Sequence, residues 1–211
     1  METWKLRLGE CEVHIQPVIK GLVSESERVR AEFDSFRPDK VAVSISKEEL
    51  EGLRHMPPDF EPELTRYEEI YANGLSEYGE VAAPPPCYVA ALELCEHAHV
   101  PIVAIDLDER SFTELYCAVV PGTTLFTHST RTWLMRRRRY GRGGAEEFVL
   151  AWDRAVNRPK GFRIIEEKRA EAMAEGIVRE SRGSRKLLAV VELERAGRVY
   201  ELLTMHLRRE P

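Results

Sequence analysis

Three short apolar runs, each preceded by a helical pattern, constrain the fold of this chain more than any other feature. They are KVAVSI at 40–45, VPIVAI at 100–105 and LLAVV at 187–191. Each run is apolar on both faces, which is typical of strands buried in the middle of a parallel sheet. We therefore predict an α/β fold in which these three strands are parallel neighbours in one mostly parallel sheet with flanking helices.

The N-terminal segment predicts a β-hairpin at the start of this fold. Trp4 to Leu8 and Val13 to Ile19 are β-type runs on either side of Gly9-Glu10. Ser24 and Glu27 then have the spacing of a capping box, which predicts the start of the first helix.

The segment 111–181 contains only helical signals and predicts a large helical insertion between two strands, such as a cap or a dimerisation arm. The segment 199–207 fits either a terminal strand or a helix. We interpret residues 1–211 as one α/β domain that contains this insertion.

Composition narrows the class of protein. The chain has 211 residues, and 43% of them are apolar and 32% charged, as in a globular domain. The chain has neither a continuous apolar membrane span nor the apolar core of a signal peptide, so we expect a cytoplasmic protein without a membrane segment. The net charge of -5 does not favour nucleic acid as the main partner. The chain has a single Gln, and Arg is far commoner than Lys, which fits a thermophile or a GC-rich genome.

Polar side chains follow the predicted strands where each strand ends. Ligands of parallel α/β sheets bind at the carboxyl ends of the strands, so these residues are the candidates for a pocket. They are Lys20, Ser44, Ser46, Asp106, Asp108, Glu192, Glu194 and Arg195.

Within this set, Asp106 and Asp108 are two positions apart and would share one face of an extended segment. Paired carboxylates suit a hard cation such as Mg²⁺, which makes these two residues a candidate metal site. The alternative is that they are solvated strand-end residues, with Asp108 or Ser111 capping the following helix, because a bare Asp-x-Asp is common. Zinc is not expected, since no cysteine lies at a predicted strand end.

The densest positive patch is the run Arg136 to Arg139. It could contact the phosphates of a nucleic acid. Its acidic neighbours Glu146, Glu147 and Asp153 instead favour a solvated helix face held in ion pairs.

Three blocks of the chain, in the same order, resemble the TraB/PrgY-type family, which is related to the Tiki metalloproteases. The first is Glu25-Ser26 followed by RPDKVAVSI at 37–45, and the second is VPIVAIDLDERSFTEL at 100–115. The third is 166–197, where Arg169, Met173 and Ala174 precede an apolar strand. The blocks cover about half of the chain. The resemblance implies an α/β fold, a metal-dependent peptidase ancestry, and an Arg169 side chain that points toward the pocket.

The chain departs from the family's pattern at the residues that carry the family's chemistry. It reads Val18-Ile19-Lys20-Gly21 and Glu192-Leu193-Glu194-Arg195 at the two Gly-x-x-His positions. The strand that ends in Glu in the family continues here as Ser44-Ile45-Ser46, and Leu107 replaces an Arg between two acids. The resemblance therefore implies a degenerate metal-protease site.

These observations leave three interpretations of function. The first is a TraB/PrgY-like binding or regulatory protein, or a hydrolase with a rebuilt site, whose ligand is a small molecule or peptide. The second is a divalent-metal-dependent hydrolase, of the phosphate ester type, that uses Asp106 and Asp108 with Glu192 or Glu194. The third is a nucleic-acid-binding protein that uses Arg136 to Arg139. A homodimer is compatible with each of them.

Overall fold

The computed structural model describes residues 1–57, 60, 62–122, 124 and 143–208. These residues form a five-stranded sheet of order β1-β2-β5-β3-β4. The strands are β1 Trp4–Leu8, β2 Cys11–Val18, β3 Lys40–Val43, β4 Ile102–Ala104 and β5 Lys186–Glu192. β1 is antiparallel to β2, and every other pair is parallel, so the predicted α/β fold with a mostly parallel sheet and an N-terminal hairpin is confirmed.

The three apolar runs are parallel neighbours, as their pattern predicts. Ala42 of β3 lies opposite Ala189 of β5 on one side and Val103 of β4 on the other. β2 pairs with the remaining side of β5, which is therefore the central strand and is buried along nearly its whole length.

Eight helices accompany the sheet in the described part of the chain. They are α1 Ser24–Phe36, α2 Lys47–Arg54, α3 Arg66–Leu75, α4 Pro86–Ala98, α5 Glu109–Val119, α6 Ala145–Val156, α7 Lys160–Ser181 and α8 Leu193–Leu207. Helices α7 and α8 cover one face of the sheet, where Leu187, Ala189 and Val191 point toward them. Helices α1 and α4 cover the other face, toward which Leu188 and Val190 point. This alternation along β5 follows the two-residue period of a strand and produces two core layers.

The capping box predicted for Ser24 and Glu27 is wrong. Ser24 is already the first helical residue of α1, and the preceding Val23 has helical backbone angles and makes no side-chain cap. The chain enters α1 from a turn, so a side-chain cap has no extended residue on which to form. Capping boxes occur instead at Ser46 with Glu49, before α2, and at Thr65 with Glu68, before α3.

In the described part of 111–181, helices α5, α6 and α7 connect β4 to β5. α7 is a core helix, since Met173 and Ile177 are fully buried against the sheet. The helix approaches the end of β4 closely at Gly176, where an added Cβ would lie 2.8 Å from the Cβ of Ile105. This approach brings Arg169, two turns earlier on the same face of α7, to the end of β4.

The run Arg136 to Arg139 lies outside the described residues. Within the described residues, no helix combines the length and apolarity needed to cross a membrane.

Candidate functional site

The carboxyl ends of four parallel strands meet at one edge of the sheet, as their shared direction requires. Lys20 follows β2, Ser44 follows β3, Asp106 follows β4, and Glu192 ends β5. These four positions gather polar groups around the end of the central strand, where ligands of parallel α/β sheets bind.

Side chains that follow two other strands, and one from α8, contact Glu192 at the end of β5. Its side chain is 3% exposed, and its Oε1 lies 3.4 Å from the Nζ of Lys20. Its Oε2 forms an ion pair with the guanidinium of Arg195, one turn later in α8. A buried carboxylate requires such compensation, and the two basic side chains provide it for Glu192.

The side chain of Ser44 forms a hydrogen bond with the backbone of Glu192. Its hydroxyl oxygen accepts the Glu192 N–H at 3.0 Å and lies 2.8 Å from the hydroxyl of Tyr88. Both Ser44 and Tyr88 are buried, so this bridge fixes the end of β5 against β3 and α4.

A second ion pair lies at the end of β4. The Nε of Arg169 donates to the two carboxylate oxygens of Asp106 at 2.9 and 3.2 Å, and its Nη2 donates to Oδ2. Burial disfavours the charged guanidinium, but the hydrogen bonds to Asp106 and its negative charge raise the pKa of Arg169 above its ordinary value. The guanidinium of Arg169 therefore stays charged, and its three hydrogen bonds to Asp106 constrain the geometry of the pair.

Glu166 of α7 connects the two ion pairs. Its Oε2 lies 2.7 Å from Arg195 and its Oε1 lies 3.7 Å from Arg169. The result is an alternating row of six charges along the strand ends, which we call the charge ladder: Asp106, Arg169, Glu166, Arg195, Glu192 and Lys20. Three acids and three bases make the ladder neutral.

The members of the ladder differ in their exposure to solvent. The Asp106 and Glu192 side chains are 4% and 3% exposed, whereas Glu166 is 24% exposed and Lys20 is 44% exposed. A solute can therefore reach the charge ladder at Lys20 and at Glu166.

Two further acids, Glu194 and Asp153, lie beside the ladder, and we call them the surplus acids. Burial raises the pKa of Glu194 to about 7, and the negative charges of Asp153 and Glu166 act in the same direction, against Lys20. Burial likewise raises the pKa of Asp153 to about 6, and the charge of Glu166 adds to the effect. Charges of the ladder act on the pKa of both surplus acids, so both lie near the same edge of the sheet.

Within the described residues, two atoms of this region are buried without a hydrogen-bond partner: Oε2 of Glu194 and Nε of Arg195. One is an acceptor and the other is a donor. Unsatisfied buried groups of this kind are rare in proteins and require an explanation.

Aromatic side chains from α3 and α6 pack against each other near the surplus acids. The Tyr67 hydroxyl accepts the indole N–H of Trp152 at 2.7 Å, and the two rings are 5.4 Å apart. Burial raises the pKa of Tyr67 and of Tyr71, and the charges of Asp153 and Glu194 contribute to both shifts.

Ser46 and Asp108 have local roles at helix ends. Ser46 caps α2, where its hydroxyl accepts the backbone N–H of Glu49 at 3.1 Å. Asp108 caps α5 by accepting the Ser111 N–H at 2.7 Å, and it lies 3.8 Å from Lys47. Asp106 and Asp108 therefore have different partners, Arg169 for the first and the end of α5 for the second.

Three contributors to the site were not among the predicted residues: Glu166, Asp153 and Tyr88. Glu166 is one turn before Arg169 on α7, so helical spacing alone places both side chains on one face. Asp153 and Tyr88 are brought in by the packing of α6 and α4, for which the sequence contains no local signal.

Among the residues that the structure describes, no group of three or more His, Cys, Asp or Glu side chains is arranged to hold a metal ion. Cys11, Cys87 and Cys95 are buried free thiols. Burial raises the pKa of Cys87 to about 12, so this thiol stays protonated at neutral pH.

No protein-family model and no curated protein sequence matches this chain.

Proposed function

We propose that this chain is a TraB/PrgY-like protein in which fixed charges occupy the place of the family's metal-protease site, and that it acts as a ligand-binding or regulatory protein. The support comes from the three segments in which the chain departs from the family's pattern. Those segments meet at Glu192: Lys20 and Arg195 neutralise its carboxylate, and Ser44 accepts its backbone N–H. Basic side chains thus do for this carboxylate what a cation would do in a metal site.

Binding fits the geometry better than hydrolysis. Ser44 is the serine nearest the centre of the network, but it is fully buried and its oxygen is engaged by Glu192 and Tyr88. A nucleophile needs an accessible oxygen and a base within hydrogen-bond reach, and Ser44 has no such access. The two most exposed members of the charge ladder, Lys20 and Glu166, offer instead charged groups to a ligand.

Elemental analysis of the purified, untagged protein tests this proposal. After dialysis we expect substoichiometric zinc and a melting temperature that does not change with EDTA, because side chains rather than a metal hold the strand ends together. Stoichiometric zinc that survives dialysis would overturn the proposal and favour a metalloprotease.

Magnesium separates the proposal from the alternative of a metal-dependent hydrolase that uses Asp106 and Asp108. A ligand that binds only the folded state raises the melting temperature. We expect no such rise with Mg²⁺. A rise in the wild type that disappears in an Asp106→Asn, Asp108→Asn variant would favour the metal-dependent hydrolase.

A further inference from the structure

The C-terminal halves of α7 and α8 enclose a groove of about 440 Å³. Its apolar residues include Ala174 and Val178 of α7 and Met205 of α8. The groove lies toward the amino ends of the strands, because Glu180, close to the end of α7, pairs with Lys40, the first residue of β3. The charge ladder lies at the carboxyl ends of the strands, so the groove is separate from it.

The apolar side chains of this groove are only partly covered by the chain itself. Met205 is 46% exposed, although methionine is usually a buried residue. Val178 packs against the core but is only partly buried, and Ala174 lies one turn before it. A methionine is flexible enough to fit a partner surface, and a small residue lets a second helix approach closely. These features favour another protein surface as the occupant of the groove.

The charges that α7 contributes to the groove are segregated by sign along the helix. Glu171 and Glu175 come first, one turn apart, and Arg179 and Arg182 follow. Among the ion pairs of the described residues, neither Glu175 nor Arg182 has a partner. Glu171 and Arg179 pair with neighbours in the same helix, and such exposed pairs contribute little to stability. All four charges are therefore open to a partner.

A second copy of α7 in antiparallel orientation would match these charges. In a two-fold symmetric interface, residues that face each other across the axis have the same midpoint in sequence. The midpoint of Glu171 and Arg182 and the midpoint of Glu175 and Arg179 both fall at positions 176–177. One axis thus pairs both acids with both arginines, and the two apolar groove residues of α7 flank that axis. A partner of unrelated sequence would not require the two midpoints to coincide.

We propose that a second copy of this chain docks on this groove, with the two α7 helices antiparallel about a two-fold axis. Glu175 of each copy pairs with Arg179 of the other, and Glu171 pairs with Arg182. Met205 of each copy packs into the groove of the other. An interface that is self-complementary in this way closes at two copies and does not grow into a filament.

Analytical ultracentrifugation of the full chain over a range of concentrations tests this interface. The wild type should sediment as a dimer that dissociates on dilution. Glu175→Arg and Arg179→Glu each place like charges opposite one another at two symmetric contacts, and each should weaken association by about ten-fold or more. Glu10→Arg makes the same change of charge in the exposed hairpin turn between β1 and β2, and it should leave association unchanged.

A mixture of Glu175→Arg and Arg179→Glu separates a direct contact from a folding defect. In the mixed pair, positions 175 and 179 carry opposite charges at both contacts, so an equimolar mixture should form a heterodimer although each variant dimerises poorly by itself. The double variant Glu175→Arg, Arg179→Glu should likewise recover dimerisation. Met205→Lys should weaken the dimer, since its ammonium group would be buried in the interface.

A wild type that remains a monomer at every concentration would overturn the proposal, and a small molecule or an unrelated protein would then be the occupant to seek. A dimer that neither Glu175→Arg nor Arg179→Glu weakens would place the interface elsewhere. A mixture of the two variants that stays monomeric would show that positions 175 and 179 do not meet. Either of these results would overturn the proposal as well.

Discussion

The charge ladder and the surplus acids lie side by side at the same edge of the sheet, but they are compensated differently. Each member of the ladder has a neighbour of opposite charge within 4 Å. The surplus acids have no basic side chain among the ion pairs of the described residues, and the pKa of each is raised mainly by burial. The ladder is therefore a set of mutually compensated charges, whereas burial raises the pKa of each surplus acid toward neutral pH.

This difference gives the two groups of charges different expected roles, one in stability and the other in pH dependence. The paired charges link the ends of β2, β4 and β5 in one network, and removing one of them leaves its neighbour without its compensating charge. Acids whose pKa is raised by burial are candidates for exchanging a proton near neutral pH. We therefore expect substitutions in the ladder to act on stability, and substitutions of the surplus acids to act on pH dependence.

The largest effect should follow from Arg195→Met. This change removes the ion pairs to Glu192 and Glu166, and breaking a buried pair costs about 3–5 kcal/mol. Arg198→Met is the matched control in the same helix, since its pairs with Glu167 and Glu201 are largely exposed and such pairs contribute about 0–1 kcal/mol. Urea unfolding measures both changes, and equal losses would contradict a structural role of the ladder.

The next-largest effect should be a difference in destabilisation between Asp106→Asn and Asp108→Asn, the substitutions of the two acids of the Asp-x-Asp segment. Asp106→Asn leaves the buried Arg169 short of its main counter-charge and should cost about 3 kcal/mol. Asp108→Asn keeps a good helix cap, since Asn and Asp cap about equally well, and should leave the stability nearly unchanged. Similar destabilisation of the two variants in urea would show that these acids act as one site.

Glu194→Gln should change the pH dependence of stability. The pKa of this acid rises from 4.5 to about 7 on folding, so the folded state binds more protons than the unfolded state between these pH values. The wild type should therefore lose stability as pH rises from 4.5 to 7, by up to roughly 3 kcal/mol. The variant should lack this loss and be the more stable protein at pH 8. Glu10→Gln, which removes an exposed carboxylate from the hairpin turn between β1 and β2, is the control. If stability depends on pH in the same way in Glu194→Gln and Glu10→Gln, the pKa of Glu194 is not raised by folding.

Gly176→Ala tests how the two regions are brought to the strand ends. The added methyl would contact the Cβ of Ile105 at 2.8 Å, and overpacking of a core costs about 1–3 kcal/mol. Gly52→Ala in α2 is the control: no atom lies near its added Cβ, so the helix should gain about 0.5–1 kcal/mol. A tolerated Gly176→Ala would show that α7 does not need this close approach to position Arg169.

The strand ends could be predicted from sequence because their cause is local. Apolar runs identify the strands, and parallel strands share one carboxyl edge, so Lys20, Ser44, Asp106, Glu192, Glu194 and Arg195 were predicted to lie together and do. Ser46 and Asp108 follow the same strands but cap the next helices, because the chain turns into α2 and α5 directly after them.

The rest of the site depends on helix packing, which no local pattern encodes. Asp153 reaches the edge because Trp152 of α6 packs on Tyr67 of α3, and neither helix has a sequence feature that places it over the strand ends. Glu166 was within reach of prediction, since its spacing to Arg169 puts the two on one face of α7.

The central claim is that fixed basic side chains, and not a metal, neutralise the carboxylate at the end of β5. A double-mutant cycle of Glu192→Gln and Arg195→Met measures this directly. We predict a coupling free energy on the order of 2 kcal/mol that is the same in EDTA and in zinc. A coupling near zero, or one that appears only when zinc is removed, would contradict the claim.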